Sequence, residues 1–512
     1  MPYYLHVPIG EINSRPSRLL LRLLGCILLL SFGLATHGLG AERWIQLQDG
    51  SLQIDTDCDE NAARNSLKTL RQMREFLQMA GPAQMQGQQV PLTVIAFRSQ
   101  AEFASYRAAT GVAGYYQRGL NRDYIVLQNL APDRTRVAMH EYTHFIVERA
   151  GLHIPRWLNE GLADLYSSLE TDGSRTLLGM PLEDRMLILK TRPWIDLASL
   201  VSATDGSPYF HDHEQMLIVY SQSWLLAHML ALSPAYAGRF PEFLSAINRG
   251  RSALDCFESV YGRTVEQVSA DLLDYFRGRL PVYSYPLDLT NIRGEAAVSP
   301  LSQRDLELTL AGLLAVNPDQ QGRAATMLRD ISSRYPAEPE PEVALGYIAL
   351  RQNSREKARE HFLTALERHS NDPDALYYGA RLQETAPGAA PDQIIQLFQK
   401  VLALKPDHYE ARLELGFFAA KNQRFALAGS VLADAQQLRP EHVYPVTYTL
   451  AYCQAQLGEL DQARQSAQNA RRSALNAKQV EQVNHLLRYI DQERRILAAN
   501  TQRSAIAVTG GQ

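Results

Sequence analysis

Small residues recur through the C-terminal half of the chain at Gly312, Gly346, Gly379 and Gly416, with Ala451 last, at a spacing near 34 apart from one longer gap. No other feature restricts the possible folds as strongly. Each small residue is followed at a similar offset by a second set of small and large apolar positions. In the first unit these are Ala324, Leu328 and Ile331, with Pro336 beyond. The second unit offers Ala358, Phe362 and Ala365, and the fourth Ala428, Leu432, Ala435 and Pro440. The third is stretched by TAPGAAP (385–391) and then restores Ile394, Phe398, Val401 and Pro406; the fifth has Ala463, Ala467 and Ala470. Small side chains let two antiparallel helices cross closely, large ones fill the groove to the next pair, and proline ends the second helix.

That pattern resembles tetratricopeptide repeats, with five units over 305–475. The resemblance implies an all-α solenoid with a concave face and a protein partner bound through the array. Residues 476–500 are expected to form a capping helix and 501–512 a disordered tail.

The chain has 512 residues, which calls for two to four domains. Its net charge of −4 and pI near 6.4 exclude an electrostatic nucleic-acid binder. Arg15, Arg18 and Arg22 precede an apolar run from Leu23 to Ala35, and Gly38, Gly40 and Ala41 follow. This is the pattern of a secretory signal peptide over 1–40; the run is short for a membrane span. The protein is therefore expected to be exported, periplasmic or secreted, and membrane-anchored only if this segment stays uncleaved. With Cys26 removed, Cys58, Cys256 and Cys453 remain, which is no disulfide framework. Pairing of Cys58 with Cys256 is open, and three small buried hydrophobes are the simpler reading.

Between signal and repeats, 44–57 alternates like a hairpin around Asp49-Gly50, and 60–81 has helical spacing with a glycine stop. VPLTVIAF (90–97) and Tyr124–Gln128 read as strands, and 132–280 as helices. Residues 281–304 lack a clear period and read as a linker.

Within 41–280 one stretch carries chemistry: MHEYTHFIVERAGLHIPRWLNEGLADLY, from Met139, with three histidines and four carboxylates. Asp133 is a candidate N-cap, Gly151 a C-terminal stop and Pro155 the start of a second helix. His140 and His144 are four apart and share a helix face, so two imidazoles can meet one zinc ion. Glu141 stands beside the first and can reach a water at the metal without ligating it. A catalytic zinc site needs a third protein ligand, and Glu160 is the natural one. Asp164 and Asn159 can accept the remaining ring N–H groups and fix the tautomers. His153 reads as a solvated turn histidine. HDH (211–213) reads as loop.

HEYTH followed by NEGLAD resembles the gluzincin metallopeptidases and their peptidase-MA-like relatives. The resemblance spans about 44–280 and implies an α+β zincin-like metallopeptidase domain, followed here by the all-α solenoid. It implies one zinc per chain on His140, His144 and Glu160, Glu141 as general base, and Asp164 as support for His140. A tyrosine near the metal also belongs to that pattern, and Tyr220 is the candidate oxyanion donor, with His213 as fallback. An edge strand at the place of Tyr124–Gln128 would pair with a peptide substrate, with Gly114, Tyr115 and Tyr116 at the cleft rim. The expected function is peptide-bond hydrolysis with partner recruitment by the repeats. The competing expectation is a noncatalytic envelope scaffold that keeps a degenerate peptidase fold and works through its repeats.

Overall fold

The computed structural model describes residues 44–509, apart from 86–89, 108–110, 120–121, 173–174, 290–295, 385–387 and 436–437. The predicted signal peptide lies outside the described residues. The chain divides into two compact units, 1–320 and 321–512.

The first unit opens with β1 (Ile45–Asp49) and β2 (Leu52–Thr56), joined through Gly50 at φ +57, then α1 (Glu60–Ala80). Asp59 caps α1 by accepting from the backbone N–H groups of Asn61 and Ala62. There follow β3 (Leu92–Ala96), α2 (Gln100–Ala104), β4 (Gly114–Gln117), β5 (Asp123–Leu127), α3 (Thr135–Arg149) and α4 (Arg156–Tyr166). Next come β6 (Glu170–Asp172), β7 (Arg175–Leu178), α5 (Glu183–Thr191), α6 (Leu197–Val201), α7 (His213–Leu232) and α8 (Phe240–Asn248). The unit closes with α9 (Ala253–Cys256), α10 (Val265–Arg277), β8 (Tyr283–Tyr285), β9 (Ala297–Pro300) and α11 (Gln303–Val316).

One sheet has the order β4-β5-β3-β2-β1-β9, with β2, β3 and β5 mutually parallel and the remaining pairs antiparallel. Ile54, Val94, Ile125 and Leu127 point from it into a core shared with α1, α3, α4 and α7. The other face carries Gln53, Asp55, Thr93 and Tyr124, which period two places opposite the core residues. α11 lies on that face. A Cβ on Gly312 would sit 2.5 Å from the Tyr124 hydroxyl, so a larger residue there would have to push the end of that side chain aside. A second, three-stranded sheet has the order β6-β7-β8.

Several expectations are corrected here. The segment read as a linker supplies two strands: β8 pairs with β7 and β9 pairs with β1. Their register partners satisfy backbone groups that have no periodic side-chain signal. Asp133 does not cap α3. It lies in a 3-10 turn, Pro132–Arg134, and α3 starts at Thr135. β5 is internal to its sheet, and the edge strand beside it is β4. Asp212 caps α7 by accepting from Gln215 N–H, so His213 opens a helix rather than sitting in a loop. The simpler reading of the cysteines holds: Cys58, Cys256 and Cys453 are free thiols, with Cys256 and Cys453 buried and Cys58 half-buried.

The second unit is helical throughout its described residues: α12 (Gln321–Arg334), α13 (Glu340–Arg351), α14 (Arg355–Glu367), α15 (Pro373–Glu384) and α16 (Pro391–Leu404). It continues with α17 (Tyr409–Lys421), α18 (Phe425–Ala433), α19 (Pro440–Gln456), α20 (Leu460–Arg472) and α21 (Ala477–Thr509). Each helix packs on the next along the chain, as a solenoid requires. Ala358, Ala365, Ala428, Ala463, Ala467 and Ala470 are fully buried. A Cβ on Gly346 would meet the Phe362 ring at 2.7 Å, the small-against-large crossing read from the period. This is a tetratricopeptide-like array. The unit boundary at 320 runs through the first expected repeat, and α21 continues to Thr509, into the stretch expected to be tail. No single described helix is long and apolar enough to cross a membrane.

Candidate metal centre

α3 passes between the sheet and α4, and every residue from Val137 to Phe145 is buried. It ends just before Gly151, whose φ of +67 turns the chain, and Pro155 starts α4 in return. α4 is pressed against α7 at Gly161: a Cβ there would lie 2.4 Å from the carbonyl oxygen of Ser223. The glycine of NEGLAD is thus a packing requirement, and it sets the depth at which Glu160 stands.

His140, His144 and Glu160 converge, with one ligand atom from each lying within 4.8 Å of the others. The two Nε2 atoms are 3.1 Å apart, and Glu160 Oε2 is 3.3 Å from that of His140 and 3.6 Å from that of His144. Each ring is held from behind. His140 Nδ1 lies 3.0 Å from Asp164 Oδ1 and His144 Nδ1 3.1 Å from Asn159 Oδ1. Those oxygens only accept, so both Nδ1 atoms carry the proton, and the Nε2 positions face the shared point. All three ligands are at most 2% exposed.

The electrostatics have one direction. Burial disfavours charge on His140, but its bonds to Asp164 and Glu160 outweigh that and push the ring up to about 10. Burial also opposes ionisation of Glu160 and Asp164. The two histidines nevertheless hold Glu160 below the usual carboxylate range, and Arg185 with His140 holds Asp164 well below it. His140 thus retains a proton where a cation would compete for it.

Glu141 is fully buried. Its Oε2 accepts from the Tyr116 N–H at 2.9 Å on the edge strand β4, and its Oε1 has no hydrogen-bond partner. Burial pushes its carboxyl up, with the histidines pulling against that. Two nitrogen donors, one carboxylate oxygen and an orphaned carboxylate oxygen in an apolar core suit a small dication, and the donor set is that of zinc.

Tyr220, on α7, is 1% exposed, and its hydroxyl accepts from Arg156 Nη2 at 3.1 Å. His213 is exposed on the first turn of α7, and His153 is exposed after α3. Gly114, Tyr115 and Tyr116 lie buried on β4 rather than on an open rim.

The sequence reading missed two arginines. Arg185, from α5, is 1% exposed and donates through Nε to Asp164 Oδ2 at 2.6 Å. Arg156 lies one turn before Glu160, with its Nε 3.8 Å from Glu160 Oε1. Its i,i+4 spacing to Glu160 was a usable signal. Arg185, inside EDRMLILK, offered none, because its partner is 21 residues away.

No protein-family model matches the chain, and no curated protein matches it. Among solved structures the chain is similar to YrrB, described as a TPR protein with an unusual peptide-binding site. Identity is 17%, with 35% of this chain and 89% of that one covered, at a TM-score of 0.29. It is similar to MamA, from residue 41 to its end, of Desulfovibrio magneticus RS-1, at 20% identity, covering 37% and 97%, with a TM-score of 0.25. It is also similar to PilW, described as a widely conserved type IV pilus biogenesis factor, at 20% identity, covering 40% and 96%, with a TM-score of 0.26. The repeat character of 321–509 stands on its own helix spacing and packing.

Proposed function

We propose that the chain is an exported zinc-dependent metallopeptidase whose repeat array recruits a protein. One observation carries the reading: His140, His144 and Glu160 aim at a single point, with both rings locked from behind by Asp164 and Asn159. One zinc per chain would be held there, and when bound it supplies Lewis acidity toward a scissile carbonyl and a water. Glu141 is the proton acceptor. Its Oε2 is fixed by Tyr116 N–H, its Oε1 is bare, and burial raises its basicity toward the range a general base needs. Arg185 balances Asp164, so that Asp164 can orient His140 without adding net charge. The repeats would hold a peptide or protein partner away from the chemistry.

The test pairs metal analysis with digestion of a broad peptide library. Wild type should hold one zinc and cleave; Glu141→Gln should hold one zinc and fall to near background. Equal inertness of both proteins would sink the peptidase reading.

A second reading is a noncatalytic envelope scaffold or adaptor acting through its repeats, with the metal centre as a structural element. The burial of all three ligands, each at most 2% exposed, favours it, as does the repeat array itself. On that reading zinc removal should lower stability, and partner binding should survive Glu141→Gln unchanged.

A further inference from the structure

We propose that Tyr116 is a positioning residue for Glu141, kept in place by Asp123. The inference rests on the hydrolytic reading above and concerns how its proton acceptor is held. Gln128 N–H donates to the Ala113 carbonyl oxygen at 2.9 Å, and β4 pairs with β5 in that antiparallel register. In such a pair bonded and non-bonded residues alternate. Tyr115 and Gln117 therefore bond to β5, and the N–H groups of Gly114 and Tyr116 point away from it. The outward Tyr116 N–H meets Glu141 Oε2 at 2.9 Å. The sheet edge itself thus holds the base.

The same tyrosine engages α3 at three successive turns. Glu141, Phe145 and Arg149 are four apart and form one stripe of that helix. The Tyr116 backbone N–H takes Glu141, and its ring lies edge-on to Phe145 with centroids 6.2 Å apart. Its hydroxyl donates to Asp123 Oδ2 at 2.8 Å. Arg149 Nε donates to that same oxygen at 2.6 Å, and Arg149 Nη2 donates to Oδ1. Gly119 N–H also donates to Oδ1, at 2.9 Å, and Asp123 is fully buried. A dry carboxylate bound by a guanidinium, a phenol and an amide is a rigid anchor. A loop of contacts closes: along α3 from Glu141 to Arg149, about 12 Å, and back through Asp123 and Tyr116. An Asp123–Arg149 ion pair alone would fasten only β5 to α3. The phenol extends that fastening to the β4 amide that meets Glu141. With Oε2 so held, Oε1 is the oxygen left without a hydrogen-bond partner. Such precision matters, because a misplacement of about 1 Å can cost roughly 10²-fold in rate.

The experiment uses the zinc-loaded full chain and its best-cleaved library peptide, with amide hydrogen exchange read at single residues. Tyr116→Phe keeps the ring and the backbone N–H and removes only the hydroxyl. It should keep one zinc and lower kcat about 10-fold with KM little changed, a fraction of the roughly 10²–10⁴ that a general base supplies. Exchange of the amide at position 116 should quicken about 10-fold, while the amides at 115 and 117, bonded to β5, keep their protection. Asp123→Asn should act alike, and the double variant should be no worse than either single one. Arg149→Lys, which keeps the charge, should lie between wild type and Tyr116→Phe and guards against misfolding of the asparagine variant. An unchanged kcat, an unchanged exchange at position 116 or multiplying losses would overturn the proposal. So would loss of zinc together with protection throughout β4, the sign of a merely structural role. A zinc-loaded wild type that cleaves nothing removes the hydrolytic reading first, and this role with it, whatever the exchange shows.

Discussion

The two units use their buried polar groups in opposite ways. In the first, a charged cluster lies in the middle of the core: His140, Glu141, His144, Glu160, Asp164 and Arg185 are all at most 2% exposed. In the second, the deep positions are alanine and large apolar residues such as Phe362, Phe398 and Val483. A buried charge is costly unless paired or ligating, so a cluster of this kind marks a candidate site. A repeat of alanine and phenylalanine identifies a fold and leaves the ligand open.

Removing the metal should separate the units most sharply. The His140→Ala, His144→Ala double variant should lose stoichiometric zinc altogether. Asp164→Asn, which loosens a ligand from behind, should cost about 10–100-fold in metal affinity. At free zinc about 1,000 times Kd, binding contributes roughly 4 kcal/mol to the folded first unit. A chelator should therefore lower one thermal transition and leave that of the repeats in place. Equal shifts of both transitions would count against a metal confined to the first unit.

Truncation sharpens the boundary. A chain ending at Pro300 loses α11, which covers Tyr124 through Gly312. Re-exposing that aromatic and orphaning its buried polar neighbours should cost roughly 2–4 kcal/mol. A chain ending at Gln320 keeps α11 and should retain the zinc site and the melting temperature of the first unit. Similar stability of the two fragments, read by calorimetry, would mean that α11 belongs functionally to the array alone.

These contrasts also mark what was legible in the sequence. The convergence of His140, His144 and Glu160 could be read because helix periodicity converts i,i+4 spacing into a shared face, and α3 and α4 are close in the chain. Asp164 and Asn159 followed from the same geometry one helix on. Arg185 could not be read, since its pairing with Asp164 depends on how α5 returns to α4. The repeats were legible because the same crossing recurs. β8 and β9 were not, because an edge or closing strand such as β9 pairs through its backbone and leaves its side chains exposed. The place of α11 in the first unit was hidden by its own repeat-like pattern. Gly312 fits the small position of the period, yet its neighbour is Tyr124.

Glycine substitutions compare the two kinds of packing directly. Gly161→Ala would place a Cβ 2.4 Å from the Ser223 carbonyl oxygen, and backbone cannot move aside cheaply. It should destabilise the first unit by about 1–3 kcal/mol and loosen zinc by displacing Glu160. Gly346→Ala would meet the Phe362 ring at 2.7 Å, a side chain that can shift. The gain in helix propensity, about 1 kcal/mol, offsets much of that contact. Its effect on the repeat transition should stay within about 1 kcal/mol. Thermal melts of both variants decide the matter; a larger loss at Gly346 would show that the array is packed as tightly as the metal core.

The smallest expected effect concerns a buried carboxylate in the repeats. Glu342 is 8% exposed and accepts from Ser332 at 2.6 Å and from His361 at 2.7 Å, with Arg368 at 3.4 Å. The bond from His361 leads the effects that hold its carboxyl below the ordinary 4.5, with burial opposing and Ser332 and Arg368 assisting. A carboxyl depressed in the folded state binds its proton more readily once unfolded. Its contribution is therefore present in full above about pH 4.5 and is lost as pH falls through the folded value. Glu342→Gln should lower the melting temperature of the second unit modestly at neutral pH, and the difference from wild type should shrink below pH 4.5. The first unit should show no such change on this substitution. A difference that stays constant from pH 7 to pH 3 would mean that Glu342 acts by shape and hydrogen bonding rather than by charge.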